Sequence, residues 1–128
     1  MSVFKRKGIH VYGKLRMELL TGNLTRDTAN FLVSMDPFAE IKIGVNHYWK
    51  SRIIKNGGKT PDFGGEGCSF EITEDNARLA EFIIWDSNSM NPDQLVGYGQ
   101  FNLEEVIKNP KYRGPILLKF EGNPAGEI

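Results

Sequence analysis

Apolar residues in this chain recur at every second position over several separate stretches. "KLRMELL" sets Leu15, Met17 and Leu19 on one side, and "FAEIKIGV" groups Ala39, Ile41, Ile43 and Val45 opposite Glu40 and Lys42. "CSFEI" aligns Cys68, Phe70 and Ile72, and "LAEFIIWD" aligns Ala80, Phe82 and Ile84. Side chains of a strand point alternately to its two faces, so this pattern buries one side of a sheet and wets the other. Shorter runs of the same kind follow at 95–103 and 116–120. Turn signals separate them at Val45-Asn46-His47, Asn56-Gly57-Gly58, Glu74-Asp75-Asn76 and Asn91-Pro92-Asp93. Six or seven short strands punctuated in this way predict an antiparallel β-sandwich. One helical stretch is expected, at 102–109, with Asn102 as its cap and Glu104 and Glu105 in its first turn.

A chain of 128 residues, 40% of them hydrophobic, suits one domain around one core. No stretch approaches the roughly 18 apolar residues of a membrane span. The opening "MSVFKRKGIHVYG" has no long apolar run, so a cytoplasmic location is expected, with peripheral membrane attachment as an option. A lone cysteine, Cys68, leaves no intramolecular disulfide and no cysteine-based zinc site. Net charge is zero, but residues 1–60 hold eleven Lys/Arg against four Asp/Glu, and residues 61–128 hold five against twelve. That asymmetry predicts a basic surface on the early strands.

Catalytic patterns are missing. His10 and His47 fall in different strands without a metal-binding spacing. "NGGKT" at 56–60 has Ile53 where a phosphate-binding loop needs its first glycine, and it leads into a turn rather than a helix. Cys68 falls on the apolar side of its strand. The chain is therefore expected not to be an enzyme. The basic residues have no accompanying aromatic motif for nucleic acid, so nucleic-acid binding is not expected.

The acidic residues are more informative. Asp36 precedes Pro37 at the start of a strand, and Asp86 ends another strand before "SNSMNPDQ". If those loops meet, oxygen ligands converge from Asp86, Asn88, Asp93 and Gln94 on one side and from Asp36, Asn30 and Asp27 on the other. Calcium takes six to eight oxygens, several of them carboxylate. Equally, Asp and Asn are turn formers that bond their own backbone.

Taken in order, "GKLRMELLTGNL", "MDPFAEIKIG", "YWKSRIIKNGGKTPDF", "CSFEI" and "AEFIIWDSN" followed by "DQLVGYGQFNL" resemble the successive strands of a C2 domain. Phe63 stands where that family usually has tryptophan. The resemblance covers nearly the whole chain and implies an eight-stranded antiparallel Greek-key β-sandwich over residues 1–128. It also implies a module that binds phospholipid. The closing "GEI" resembles the opening of a final strand in one C2 topology. Either the N-terminal segment supplies the eighth strand, or the chain is the N-terminal part of a longer protein.

The family's calcium site usually has five aspartates. Carried over one position at a time, they fall here on Asn30, Asp36, Asp86, Asn88 and Gln94, with Asp93 beside the last. Two carboxylates of five match. The resemblance thus implies at most one weakly held calcium ion, at Asp36, Asp86 and Asp93, and attachment that is calcium-independent or weakly calcium-dependent. Phe31, Leu32 and Met90 are expected at loop tips as apolar contacts. Lys50, Arg52, Lys55 and Lys59 are expected to meet anionic headgroups, with Tyr48, Lys50, Arg52 and Ile54 alternating onto one strand face. The partner is then an anionic phospholipid surface. The alternative is a protein partner of an interaction or scaffold C2 domain that has lost lipid and calcium binding.

Overall fold

The computed structural model describes residues 3–7, 10–28, 34–72 and 78–128. Among these, ten strands and one short helix follow in order. They are β1 (Val3–Lys7), β2 (His10–Thr21), β3 (Asn23–Leu24), β4 (Pro37–Ile43), β5 (His47–Lys50), β6 (Asp62–Ile72), β7 (Leu79–Asp86), β8 (Gln94–Asn102), α1 (Glu104–Lys108), β9 (Leu117–Phe120) and β10 (Asn123–Glu127). All pairings are antiparallel, in a three-stranded sheet β1-β2-β6 and a seven-stranded sheet β3-β10-β9-β8-β7-β4-β5.

The period-two faces meet between the sheets. Leu15, Leu19, Cys68, Phe70 and Ile72 from the smaller sheet join Ala39, Ile41, Ile43, Ala80, Phe82 and Ile84 from the larger one in a single core. Ladders resolve into more strands than the eight expected because both ends are paired. β1 lies on β2, with Val3 opposite Lys14, and β10 lies between β9 and β3. "GEI" therefore falls in and just after β10, which already has two neighbours. Glu121 and Gly122, both at positive φ (51° and 82°), make the two-residue turn between β9 and β10; such a turn matches the strand twist.

Three local readings change. Val45 is 84% exposed, because β4 ends at Ile43 and residues 44–46 turn. The helix is confined to Glu104–Lys108, where Asn102 Oδ1 accepts the Glu104 N–H at 2.9 Å although Leu103 occupies the cap position. The ladder of the basic strand stops at Lys50. Ser51 turns inward, donating its N–H to Ala39 O and accepting the Ala39 N–H at Oγ (2.8 and 2.9 Å), so Arg52 and Ile54 lie on an irregular run. The turn expected at Glu74-Asp75-Asn76 lies outside the described residues.

Candidate functional site

Three chain segments meet at one end of the sandwich: 25–28 with 34–36, the turn at 54–60, and the loop 87–93. Pairing brings them together. Asp86, the last residue of β7, is opposite Pro37 on one side and Gln94 on the other. The 54–60 turn is docked by Ile54 N–H to Pro37 O (2.8 Å), Gly58 N–H to Met35 O (3.0 Å) and Leu24 N–H to Lys59 O (2.7 Å).

Asp86 is 5% exposed, one of two buried polar or charged residues among those described. A carboxylate at that depth requires donors. Its Oδ1 accepts the Asp36 N–H at 2.8 Å and its Oδ2 accepts the Thr28 hydroxyl at 2.7 Å. Asp36 Oδ1 in turn accepts the Asn56 N–H at 2.7 Å, and Asp36 O accepts the Ser87 N–H at 3.0 Å. Asn56 has φ 56°, a left-handed conformation that asparagine tolerates better than most residues. Asp93 Oδ1 accepts the Asn88 N–H at 2.9 Å, and Asn88 Nδ2 donates to Pro92 O at 3.2 Å.

Of the expected ligands, Asp36 and Asp86 are thus brought together, while Asp93 is tied to Asn88 within its own loop. Gln94 is exposed at the start of β8, and Asn30 lies outside the described residues. Among the described residues, no three or more His, Cys, Asp or Glu side chains group to hold a metal. The 25–28 segment also carries Arg26. Its guanidinium lies 3.5 Å over the Phe120 ring and donates to Leu95 O from Nε and Nη2, both at 3.4 Å. It ties the first loop to β8 and β9.

The expected lipid-contacting residues divide between two surfaces. Met90 is 91% exposed at the tip of the 87–93 loop, and Lys55 and Lys59 are exposed on the 54–60 turn at the same end. Phe31 and Leu32 lie outside the described residues. Lys50 is instead on the outer face of β5, with Nζ 5.2 Å from the Phe38 ring centroid. Arg52 has its backbone N–H on the Glu66 carboxylate at 3.1 and 3.2 Å and its Nε 3.9 Å from Glu66 Oε1.

Sequence reasoning missed two arrangements. Thr28 as a donor to Asp86 carries no local signal, since the two are joined only when three loops meet. The other is a clamp on the outer face, where the Trp85 indole N–H and the Tyr48 hydroxyl both donate to Glu40. That hydrogen bond, then burial, then the Glu40 charge push the Tyr48 phenol above its ordinary range. Strand parity was the available clue, because Glu40, Tyr48 and Trp85 all fall on the side away from the core. A groove of about 660 Å³ lined by Met17, Leu19, Phe82, Phe101 and Ile116 runs along β2.

The family model for the C2 domain matches residues 13–118. Among curated protein sequences none matches. Solved structures share the fold. A calcium-bound pair of C2 domains from Extended-Synaptotagmin 2 superposes with TM-score 0.74 at 22% identity, over 91% of this chain and 43% of that one. A C2 domain of plant Extended Synaptotagmin 1 gives 0.69 at 14%, over 95% and 92%. Human GIVD cytosolic phospholipase A2 gives 0.71 at 17%, over 89% and 15%. The chain thus spans less than half of the first and third of these chains.

Proposed function

The chain belongs to the C2 domain family, and from that premise we propose that it is a non-enzymatic module that attaches a protein to anionic phospholipid membranes without needing calcium. The observation that carries this reading is the hydrogen bonding of Asp86. A calcium ion there would need six to eight oxygens and would compete with the Thr28 O–H and the Asp36 N–H, each of which bonds one oxygen of the Asp86 carboxylate. Asp36 and Asp93 accept backbone N–H groups in the same way. Among the described residues the retained carboxylates hold the loops together, and this supports attachment that does not depend on calcium.

Attachment then rests on fixed cations and an apolar tip. Lys55 and Lys59 at the loop end supply charge, each contributing about 1 kcal/mol near an anionic leaflet. Met90, at a tip almost fully exposed, supplies apolar area. In sequence, Phe31 and Leu32 fall between Thr28 and Ser34. No described helix is long and apolar enough to cross a membrane, which suits attachment to the surface.

The test is co-sedimentation with phosphatidylserine vesicles at low salt, in calcium and in chelator. Equal binding in both is expected. Binding in neither would sink the membrane reading and favour the alternative of a protein-interaction module, which the same internally bonded carboxylates allow. Binding only with calcium would overturn the reading of Asp86.

A further inference from the structure

On one of its two sides, β2 has a strand partner along only part of its length. β1 pairs with His10–Lys14 and stops there, while β6 pairs on the other side as far as Thr21. Among the described residues, Met17–Thr21 thus carry a strand on the β6 side alone. Such an edge presents main-chain N–H and C=O groups that another strand can take up. It forms one wall of the groove of about 660 Å³, which Phe82 and Phe101 of the larger sheet and Val106 of α1 also line.

A second wall is the segment 110–116. It forms no ladder with β2, and Pro110 and Pro115 lack the N–H that a ladder needs. The segment is held in place all the same. Tyr112 packs on Phe101 with ring centroids 4.9 Å apart, and Ile116 and Ile128 exchange main-chain hydrogen bonds at 2.8 and 3.0 Å. Lys111 and Arg113 are exposed on this wall, and residues 106–120 contain four Lys/Arg and no Asp/Glu. Two acids line the groove, Glu18 and Glu127, and Glu18 is engaged by Arg16 Nε at 3.6 Å.

We propose that this groove docks one extended, acidic peptide segment of a partner protein, which adds to the Met17–Thr21 edge of β2 as a strand. Main-chain bonds to that edge supply the pairing, and alternate side chains of the peptide meet the apolar lining. Acidic residues between them face Lys111 and Arg113. An acyl chain could fill the apolar part, but it would take the main-chain groups of the edge out of water without bonding them. A second copy of this chain would bring the same two cations to the same wall. Docking of this kind needs no membrane, so it stands or falls separately from the loop-end reading.

The probe is a short fluorescein-labelled peptide that alternates valine and glutamate, titrated by anisotropy at low salt. It is expected to bind and to slow amide hydrogen exchange within Met17–Thr21. A scrambled peptide of the same composition, and one with lysine for glutamate, should each bind about tenfold more weakly. Lys111→Glu with Arg113→Glu should reverse the preference between the glutamate and lysine peptides; both positions are exposed, and thermal melting checks the fold. Methylating the peptide's main-chain nitrogens should cost far more at one alternate set of residues than at the other, because only one set points at β2. No binding, equal binding of the scrambled peptide, equal cost of the two methylated sets, or protection confined to other strands would overturn the proposal. So would oleate binding that displaces the peptide, which would make the groove an acyl site. Self-association that the double variant abolishes would give it to a second copy instead.

Discussion

Asp36 gives its backbone N–H to Oδ1 of Asp86 at 2.8 Å, while Asp86 Oδ2 takes the Thr28 hydroxyl at 2.7 Å. The two carboxylate residues are therefore bonded to each other through a main-chain donor rather than held apart as a pair of negative charges. In a site kept ready for an ion, neighbouring carboxylates repel until the ion arrives. Here one carboxylate is the acceptor that organises the loop carrying the other.

That difference has a sign in stability. Asp86→Ala leaves the Asp36 N–H and the Thr28 hydroxyl without their acceptor, and a hydrogen bond to a buried charged group is worth about 1.5–3 kcal/mol. We expect a loss of roughly 2–3 kcal/mol in urea unfolding with chelator present. Removing a repelling carboxylate from an empty ion site would raise stability instead, so an unchanged or higher midpoint would refute the arrangement.

Calcium should then do little to the unchanged protein. A ligand stabilises only in proportion to its occupancy of the native state, and at about 1 mM calcium the melting temperature should move by less than about 1 °C. Thr28→Asp is the informative variant, because it replaces a donor to Asp86 with a second carboxylate. It should melt lower than the parent in chelator and regain part of the loss in calcium. A large calcium shift in the parent would show that the ion displaces Thr28.

What could be read beforehand follows from the range of each signal. Parity along a strand is local, so the core faces of β2, β4, β6 and β7 were legible, and the same parity put Glu40, Tyr48 and Trp85 on the outer side. Strand ends were less so. Val45 and Arg52 fit the alternation but fall past the last ladder pair, because a glycine turn at Gly44 and the inward Ser51 end the strands first. Spacing left open whether the loops of Asp36 and Asp86 meet. It could not reveal that Thr28, 58 positions before Asp86, fills the role of a ligand's partner. Nor could it separate Lys50 from Lys55 and Lys59, since only the docking of the 54–60 turn onto Met35 and Pro37 moves the latter pair to the loop end.

That separation predicts unequal effects among the cations. Lys55→Gln with Lys59→Gln removes two exposed charges at the loop end, about 2 kcal/mol or roughly thirtyfold in partitioning onto anionic vesicles. Arg52→Gln should cost much less, because Arg52 is already engaged with Glu66. None of these exposed substitutions should shift the melting temperature appreciably. If Arg52→Gln weakens vesicle binding as much as the double variant, the membrane meets the side of the sandwich rather than its end.

Cys68 offers a check on the core that does not depend on any ligand. It is 8% exposed, on the core side of β6 opposite Met17. Burial pushes its thiol up to about 11 from 9.0, with Arg16 pulling slightly the other way. The native protein therefore holds this proton more tightly than the unfolded chain does. Above pH 9 the unfolded chain ionises first and binds fewer protons, so the stability contributed by the neutral thiol is complete below pH 9 and falls as pH rises toward 11. The loss attributable to Cys68 should be of the order of 1–2 kcal/mol. Cys68→Ala should be less stable at neutral pH because it empties core volume, and it should lack this part of the alkaline decline. The measurement is urea unfolding of both proteins from about pH 7 to about pH 11. Parallel curves would mean that the thiol titrates alike in both states and is not enclosed by the core, and rapid modification by a thiol reagent in the folded protein at about pH 8 would say the same.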